Sequence, residues 1–195
     1  MYHWGALPAA GAVLGRDGFD QIGPLNSLGN LIVPNCETYE HLYPVHFVQH
    51  ELRCDAAGPG QFRGGTGAVY RAVVEDEAEF AFRGEGQRTP SGFGALGGGF
   101  GAAGSVKFEF PGGRVWEPPQ FGAGRVGPAT LTIHSPAGGG WGNPFIRDSE
   151  LVFRDVRDGL LSREKAEEDY GVVLTPDDRA VDYSKTTDIR RQQCS

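Results

Sequence analysis

Cysteine is sparse. Cys36, Cys54 and Cys194 are odd in number and far apart in a 195-residue chain, which argues against a disulfide framework and against a C-x-x-C metal site. Long apolar runs are missing too, and nothing approaches the roughly 18 residues of a membrane-spanning helix. The opening Met1-Tyr2-His3-Trp4-Gly5 lacks the basic and apolar regions of a signal peptide. These absences predict a soluble cytoplasmic protein with no membrane partner. Positive charge is also in deficit, with 18 Lys and Arg against 25 Asp and Glu for a net charge of −7. No basic stripe stands out, so nucleic acid is not an expected partner.

Glycine is what the chain has in excess: 31 of 195 residues, where a usual share is about 7%. The glycines follow no fixed period, which excludes collagen-like and solenoid architectures. They cluster between short apolar segments, the pattern of a compact all-β protein with many tight connections. The length suits one domain, or one plus a tail, with a genuine core.

Four regions follow from the pattern. Residues 1–35 form a glycine-rich arm with weak periodicity and one or two short strands at most. Within it, Gly15-Arg16-Asp17-Gly18-Phe19-Asp20 reads as a turn, with Asp17-Gly18 a hairpin-type dipeptide. Residues 36–147 form a β-rich core. Pro44 ends any helix begun at Glu37, and Val45 to Arg53 then reads as a strand with Val45, Phe47 and Gln49 on one face. Ala68–Val74 and Ala78–Arg83 suggest an antiparallel hairpin across the acidic Glu75-Asp76-Glu77. Ser105–Phe110 and Ala129–His134 are further strands, with residues 118–122 as loop between them.

Residues 148–174 are a helical segment. Asp148-Ser149-Glu150 starts a helix, and Ser162 caps a second one, Arg163 to Tyr170, stopped by Gly171. From Thr175 to Ser195 the chain is polar and aperiodic and reads as a tail. The fold class is therefore mainly β: an antiparallel, sandwich- or barrel-like domain with glycine-rich loops and a short helical C-terminal segment.

Few residues invite a chemical reading. His46 and His50 share a strand face, but at strand rise they stand about 13 Å apart, too far to ligate one ion. No metal site is expected. Two glycine-rich stretches are candidate contacts to a substrate or partner. One is Gly58 to Gly67, carrying Arg63, Gly64 and Gly65, where the alternative is an Arg63 paired to a carboxylate. The other is Ser135 to Pro144, carrying Gly138, Gly139, Gly140 and Gly142 between a strand and a helix. That order could cradle a phosphate. However, the stretch is neither G-x-x-x-x-G-K-[ST] nor a clean G-x-G-x-x-G, and a structural corner fits it better.

Several motifs stand in a familiar order. Tyr43-Pro44-Val45, Glu51-Leu52-Arg53 and Gly58-Pro59-Gly60-Gln61-Phe62-Arg63-Gly64-Gly65-Thr66-Gly67 come first. The corner 136–144, Val156-Arg157-Asp158-Gly159-Leu160-Leu161-Ser162 and Ala166-Glu167-Glu168-Asp169-Tyr170-Gly171-Val172-Val173 follow. This set resembles the hydantoinase B family, which includes 5-oxoprolinases and the α-type subunits of acetone and acetophenone carboxylases. The likeness covers only the C-terminal third of such proteins, so it implies a C-terminal part carried as its own small subunit.

By that resemblance the chain completes a multi-subunit ATP-dependent enzyme that phosphorylates a carbonyl oxygen. The expected reaction is carboxylation of a ketone such as acetone or acetophenone. The alternatives are hydrolysis of a cyclic amide, as by hydantoinases and oxoprolinases, or a β-domain that binds a small ligand without any enzymatic role. The implied partners are a hydantoinase A-like ATP-binding subunit and a truncated hydantoinase B-like subunit, joined in a hetero-oligomer. ATP and a divalent metal are expected in those partners and no cofactor in this chain. No catalytic residue can be carried over.

Overall fold

The computed structural model describes residues 7–22, 35–84 and 86–193. Two β-sheets, a layered glycine region and a helical cap follow one another through it. The short helix α1 (Cys36–Leu42) begins where the Asn35 side chain accepts from the Thr38 amide at 3.0 Å, and it ends ahead of Pro44. The strands are β1 (Val45–Leu52), β2 (Ala68–Val74), β3 (Ala78–Arg83), β4 (Ser105–Glu109), β5 (Val115–Trp116), β6 (Phe121–Val126) and β7 (Ala129–His134). Five of them form an antiparallel sheet in the order β1-β2-β7-β4-β5, while β3 and β6 pair separately.

The mainly β, antiparallel architecture is thus present, as two open sheets facing each other in sandwich fashion. Their shared core is Val45, Val74, Phe108, Val126, Ala129 and Leu131, with Phe80, Phe82 and Trp116 against it. Phe108 meets Phe80 and Phe82 edge-on at ring separations of 5.4 and 6.1 Å, the favoured geometry for aromatic pairs.

Three strand expectations need correction. β2 and β3 are consecutive but form no hairpin: β2 is flanked by β1 and β7, and β3 crosses to the second sheet to pair with β6. Sequence adjacency suggested the pairing, and burial of Phe80 and Phe82 over the main sheet overrides it. The partner β6 occupies Phe121–Val126, part of which reads as loop because Gly122 and Gly124 break its apolar pattern. In β1 the register slips between Phe47 and Gln49. This bulge at Val48 reverses the alternation, so Val45 and Phe47 face the core whereas Gln49 turns to the outer face beside Arg71.

The helical segment matches its caps. Asp148 accepts from the Glu150 amide at the start of α2 (Ser149–Arg157). Ser162 accepts from the Lys165 amide before α3 (Arg163–Tyr170), and Gly171 closes α3 at φ +61°. These helices enclose a second core of Val152, Leu161, Ala166, Tyr170, Val172, Leu174 and Val181. The stretch read as an aperiodic tail carries α4 (Tyr183–Gln193). Its anchors are polar and so left no hydrophobic period: Arg190 donates to the Tyr170 and Arg147 carbonyls at 2.9 Å each, and buried Thr186 Oγ1 accepts from Val173 N at 3.0 Å.

Much of the arm, 1–6 and 23–34, lies outside the described residues, as does Cys194. Residues 7–22 are built into the molecule. Their turn falls at Leu14-Gly15, between the bridged Val13 and Arg16, and not at Asp17-Gly18. Asp17 is instead committed to side-chain and backbone bonds described below. Among the described residues, no helix is long and apolar enough to cross a membrane.

Candidate functional site

The two glycine stretches singled out in the sequence meet. Backbone segments from residues 9–20, 56–67, 92–102 and 135–142 lie side by side and exchange amide hydrogen bonds. Gly65 N donates to Ala10 O, Gly138 N to Gly65 O, Gly58 N to Gly138 O and Gly140 N to Gly99 O, all at 2.9–3.0 Å. Glycine is required by distance. A Cβ on Gly64 or Gly138 would lie closer than 3.0 Å to the neighbouring backbone, against Gly138 in one case and Ala10 in the other. Much of the excess glycine of the sequence therefore lies in layers of backbone packed without side chains between them.

This settles the position of each candidate contact. The amides of Gly64, Gly65, Gly138, Gly140 and Gly142 donate within the chain, to the Gly58, Ala10, Gly65, Gly99 and Ala95 carbonyls. Gly139 accepts from Ala12 N through its carbonyl and abuts Phe93. A phosphate cradle needs unspent amides, and these five are spent.

Arg63 is 6% exposed and points into a buried ionic knot with Arg147, which is 1% exposed. Arg147 grips Asp17 with both prongs, Nη1–Oδ1 at 2.7 Å and Nη2–Oδ2 at 2.8 Å, and also donates from Nη2 to Asp155 Oδ2 at 3.0 Å. Arg63 Nε stands 3.3 Å from Asp155 Oδ1, Nη1 stands 3.6 Å from Asp20 Oδ1, and Nη1 donates to Gly64 O at 2.8 Å. Backbone ties reinforce the arrangement: Asp17 accepts the Arg63 amide at 2.7 Å and Asp20 accepts the Thr66 amide at 2.6 Å.

The knot joins three sequence-distant pieces, the arm, the 56–67 loop and α2. Burial pushes the Asp17 carboxyl upward, but its bond to Arg147 and the charges of Arg147 and Arg63 outweigh that and hold it below its ordinary value. Burial raises the Asp155 carboxyl, with Arg63 and Arg147 opposing. Burial likewise raises the nearby Tyr170 phenol. Arg147 and Asp155 carried no signal in the sequence, since a lone Arg before a helix and an Asp on its face look like ordinary surface charge.

Among the described residues, no group of three or more His, Cys, Asp or Glu could hold a metal ion. Exposed features lie elsewhere. The loop over the glycine layers presents Phe93, Leu96 and Phe100, which are 73%, 76% and 66% exposed. Leu96 is also held at φ +49°, a left-handed conformation that costs about 1–2 kcal/mol for a residue with a Cβ. Phe93 lines a cleft of about 300 Å³ together with Pro8, Ala12 and Pro136.

The profile described as Hydantoinase B/oxoprolinase matches residues 2–144. A protein of Pseudomonas sp. (strain NS671), named as the B component of a D-/L-hydantoinase, is 31% identical over 185 residues, which cover 93% of this chain and 30% of that protein. The β component of the caprolactamase of Pseudomonas jessenii is 32% identical over 182 residues, covering 86% of this chain and 30% of that one. In structure, the ATP-dependent caprolactamase from Pseudomonas jessenii superimposes with a TM-score of 0.76 at 28% identity, over 95% of this chain and 33% of that one. Nucleotide-free acetone carboxylase gives 0.79 at 20% identity, over 97% of this chain and 30% of that one, and shows a shared fold. The chain spans about a third of the length of these relatives. By its motifs, its fold and the matched profile, it belongs to the hydantoinase B/oxoprolinase family.

Proposed function

We propose that this chain supplies the C-terminal docking portion of an ATP-dependent enzyme that opens a cyclic amide. The observation that carries the docking role is the loop with Phe93, Leu96 and Phe100. Three large apolar side chains on one loop, one of them on a strained backbone, form a surface suited to burial against protein. The relatives extend well beyond the region matched here, and that additional mass is the natural cover for the loop.

The choice of a cyclic amide rests on sequence likeness. Two relatives above 30% identity are named for hydantoin and caprolactam chemistry, whereas acetone carboxylase shares the fold at 20%. The preference thereby moves from ketone carboxylation toward amide hydrolysis, and carboxylation is kept as the second reading because of that structural likeness. In either case, ATP and a divalent metal would be handled by partner subunits of hydantoinase A and B type.

Co-expression with such subunits, followed by native mass measurement, tests the assembly. ATP consumption is then measured with hydantoin, with a lactam, and with acetone plus bicarbonate. Turnover with either cyclic amide and none with acetone supports the proposal. Turnover with acetone and bicarbonate alone replaces it with the carboxylase reading, and a chain that stays monomeric beside both subunits overturns docking.

A further inference from the structure

The outer face of the five-stranded sheet is concave, with a groove of about 700 Å³ crossing β1, β2, β7 and β4. Strand register sets its residues in rows. Gln49 lies beside Arg71, Arg71 beside Thr132, and Thr132 beside Lys107. At about 4.8 Å per strand, the Arg71 and Lys107 backbones stand about 10 Å apart with Thr132 between them. The neighbouring row runs Glu51, Val69, His134, Ser105, in which Ser105 Oγ and His134 Nδ1 share a hydrogen bond at 2.9 Å. Arg53 closes that end, anchored through Nη1 to the Ala103 and Ser135 carbonyls at 3.0 and 2.5 Å.

A polar outer face is ordinary for an antiparallel sheet. The concavity and the charge pairing distinguish this one. Lys107 Nζ pairs with Glu109 at 2.8 Å, and Gln49 donates to Glu51 at 2.8 Å. Arg71, in the middle of the row, has no carboxylate within 4.0 Å among the described residues. A planar guanidinium of this kind presents paired donors that match a carboxylate's two oxygens.

We infer that this groove binds a monocarboxylate, whose oxygens are taken by Arg71 with the Thr132 hydroxyl and the Lys107 ammonium beside it. The flanking Glu51 and Glu109 select the charge. Against Arg53, Arg71 and Lys107 they leave the groove one net positive charge, which a monocarboxylate balances and a dianionic phosphate exceeds. The rest of the ligand extends along the second row, where Ser105 and His134 offer neutral hydrogen-bonding groups. The site is independent of the ATP-dependent reaction proposed above and is read on the full chain alone, so either can fail without the other.

The test is an amide-resolved NMR titration of the full chain with hexanoate and, separately, with inorganic phosphate. Expected are hexanoate shifts centred on Arg71, Thr132 and Lys107. R71Q should weaken binding by about tenfold or more, the scale of a lost charge-assisted pair. R125Q on the second sheet should leave it unchanged. Arg71 is exposed, so an otherwise unaltered R71Q spectrum verifies folding. Hexanoate shifts centred on Phe93 and Leu96, absence of binding at tens of millimolar, an R71Q affinity equal to the parent's, or phosphate binding as tightly as hexanoate would each overturn the inference.

Discussion

Asp17 and Arg147, 130 residues apart in sequence, meet through two parallel hydrogen bonds of 2.7 and 2.8 Å. Arg147 is buried and also donates from Nη2 to Asp155 and from Nη1 to the Gln61 carbonyl. This contact fastens the arm to the helical cap. Asp17→Asn keeps an oxygen for the Arg63 amide but leaves two buried guanidiniums with one carboxylate fewer. The expected cost is about 3 kcal/mol, the low end for a broken buried pair because Asp17 is only partly buried. Urea unfolding measures it, and limited proteolysis should show cleavage within residues 7–22. An unchanged midpoint and an uncut arm would count against the latch.

Arg63→Ala addresses the same knot from the loop. It strips one cation from Asp155, whose carboxyl is already raised by burial, and it removes the bond to Gly64 O. We expect a loss of about 3–5 kcal/mol, as for a buried pair deprived of one partner. A substrate contact behaves differently: turnover of the assembled enzyme would fall while thermal stability stayed put.

Acid should release the arm late. The folded Asp17 carboxyl lies below its ordinary 3.8, so its contribution to stability is present above that value and lost as pH falls through the lower folded one. Asp155 runs the other way. Its folded value is raised, so its contribution is present at low pH and lost as pH rises through that value. On acidification Asp155 therefore takes its proton first, and the arm remains held until Asp17 follows below 3.8. Carboxyl-detected NMR titration reads both steps, and an Asp17 midpoint above 3.8 would contradict the assignment.

Glycine substitutions should separate sharply by place. Gly64→Ala puts a Cβ into the Gly138–Gly139 backbone and should cost about 3 kcal/mol or more, since backbone cannot move aside as a side chain tip can. Gly127→Ala meets nothing within 4 Å and should be neutral or gain a few tenths of a kcal/mol. Thermal melts of the two variants make the comparison.

Leu96→Asn should improve the isolated chain and impair the assembly. Asparagine tolerates the left-handed backbone at φ +49°, so stability should rise by about 0.5–1 kcal/mol. It also removes an apolar side chain whose full burial contributes about 1.5–3 kcal/mol, which should weaken docking by about tenfold or more. Denaturation of the chain and titration against its partner subunits give the two numbers. A stabilised variant that docks as tightly as the parent would remove Leu96 from the interface.

Sequence was informative where order is local. Strand alternation in β2, β3 and β7 and the caps Asp148, Ser162 and Gly171 stand where residue type alone places them. What it missed depends on distant partners. The bulge at Val48 has no residue signature, and β6 is sustained by β3 despite two glycines. Helix α4 is held by Arg190 and Thr186 and not by an apolar stripe. The candidate loop was visible as glycine plus Arg63, and the carboxylate-paired reading of Arg63 agrees with its place beside Asp155. The identity of that carboxylate was not legible, because α2 meets the loop only in the folded chain.

The stacked backbone of residues 56–67 and 135–142 has a consequence for hydrogen exchange. Glycine is associated with pliancy, and these segments carry almost no regular helix or strand. Yet their amides are bonded between layers with no side chain to shift, so opening one layer means separating its neighbours as well. The slowest-exchanging protons of this protein should therefore include Gly58, Gly65 and Gly138, alongside the centre of the five-stranded sheet, in a region whose composition alone suggests a loose loop.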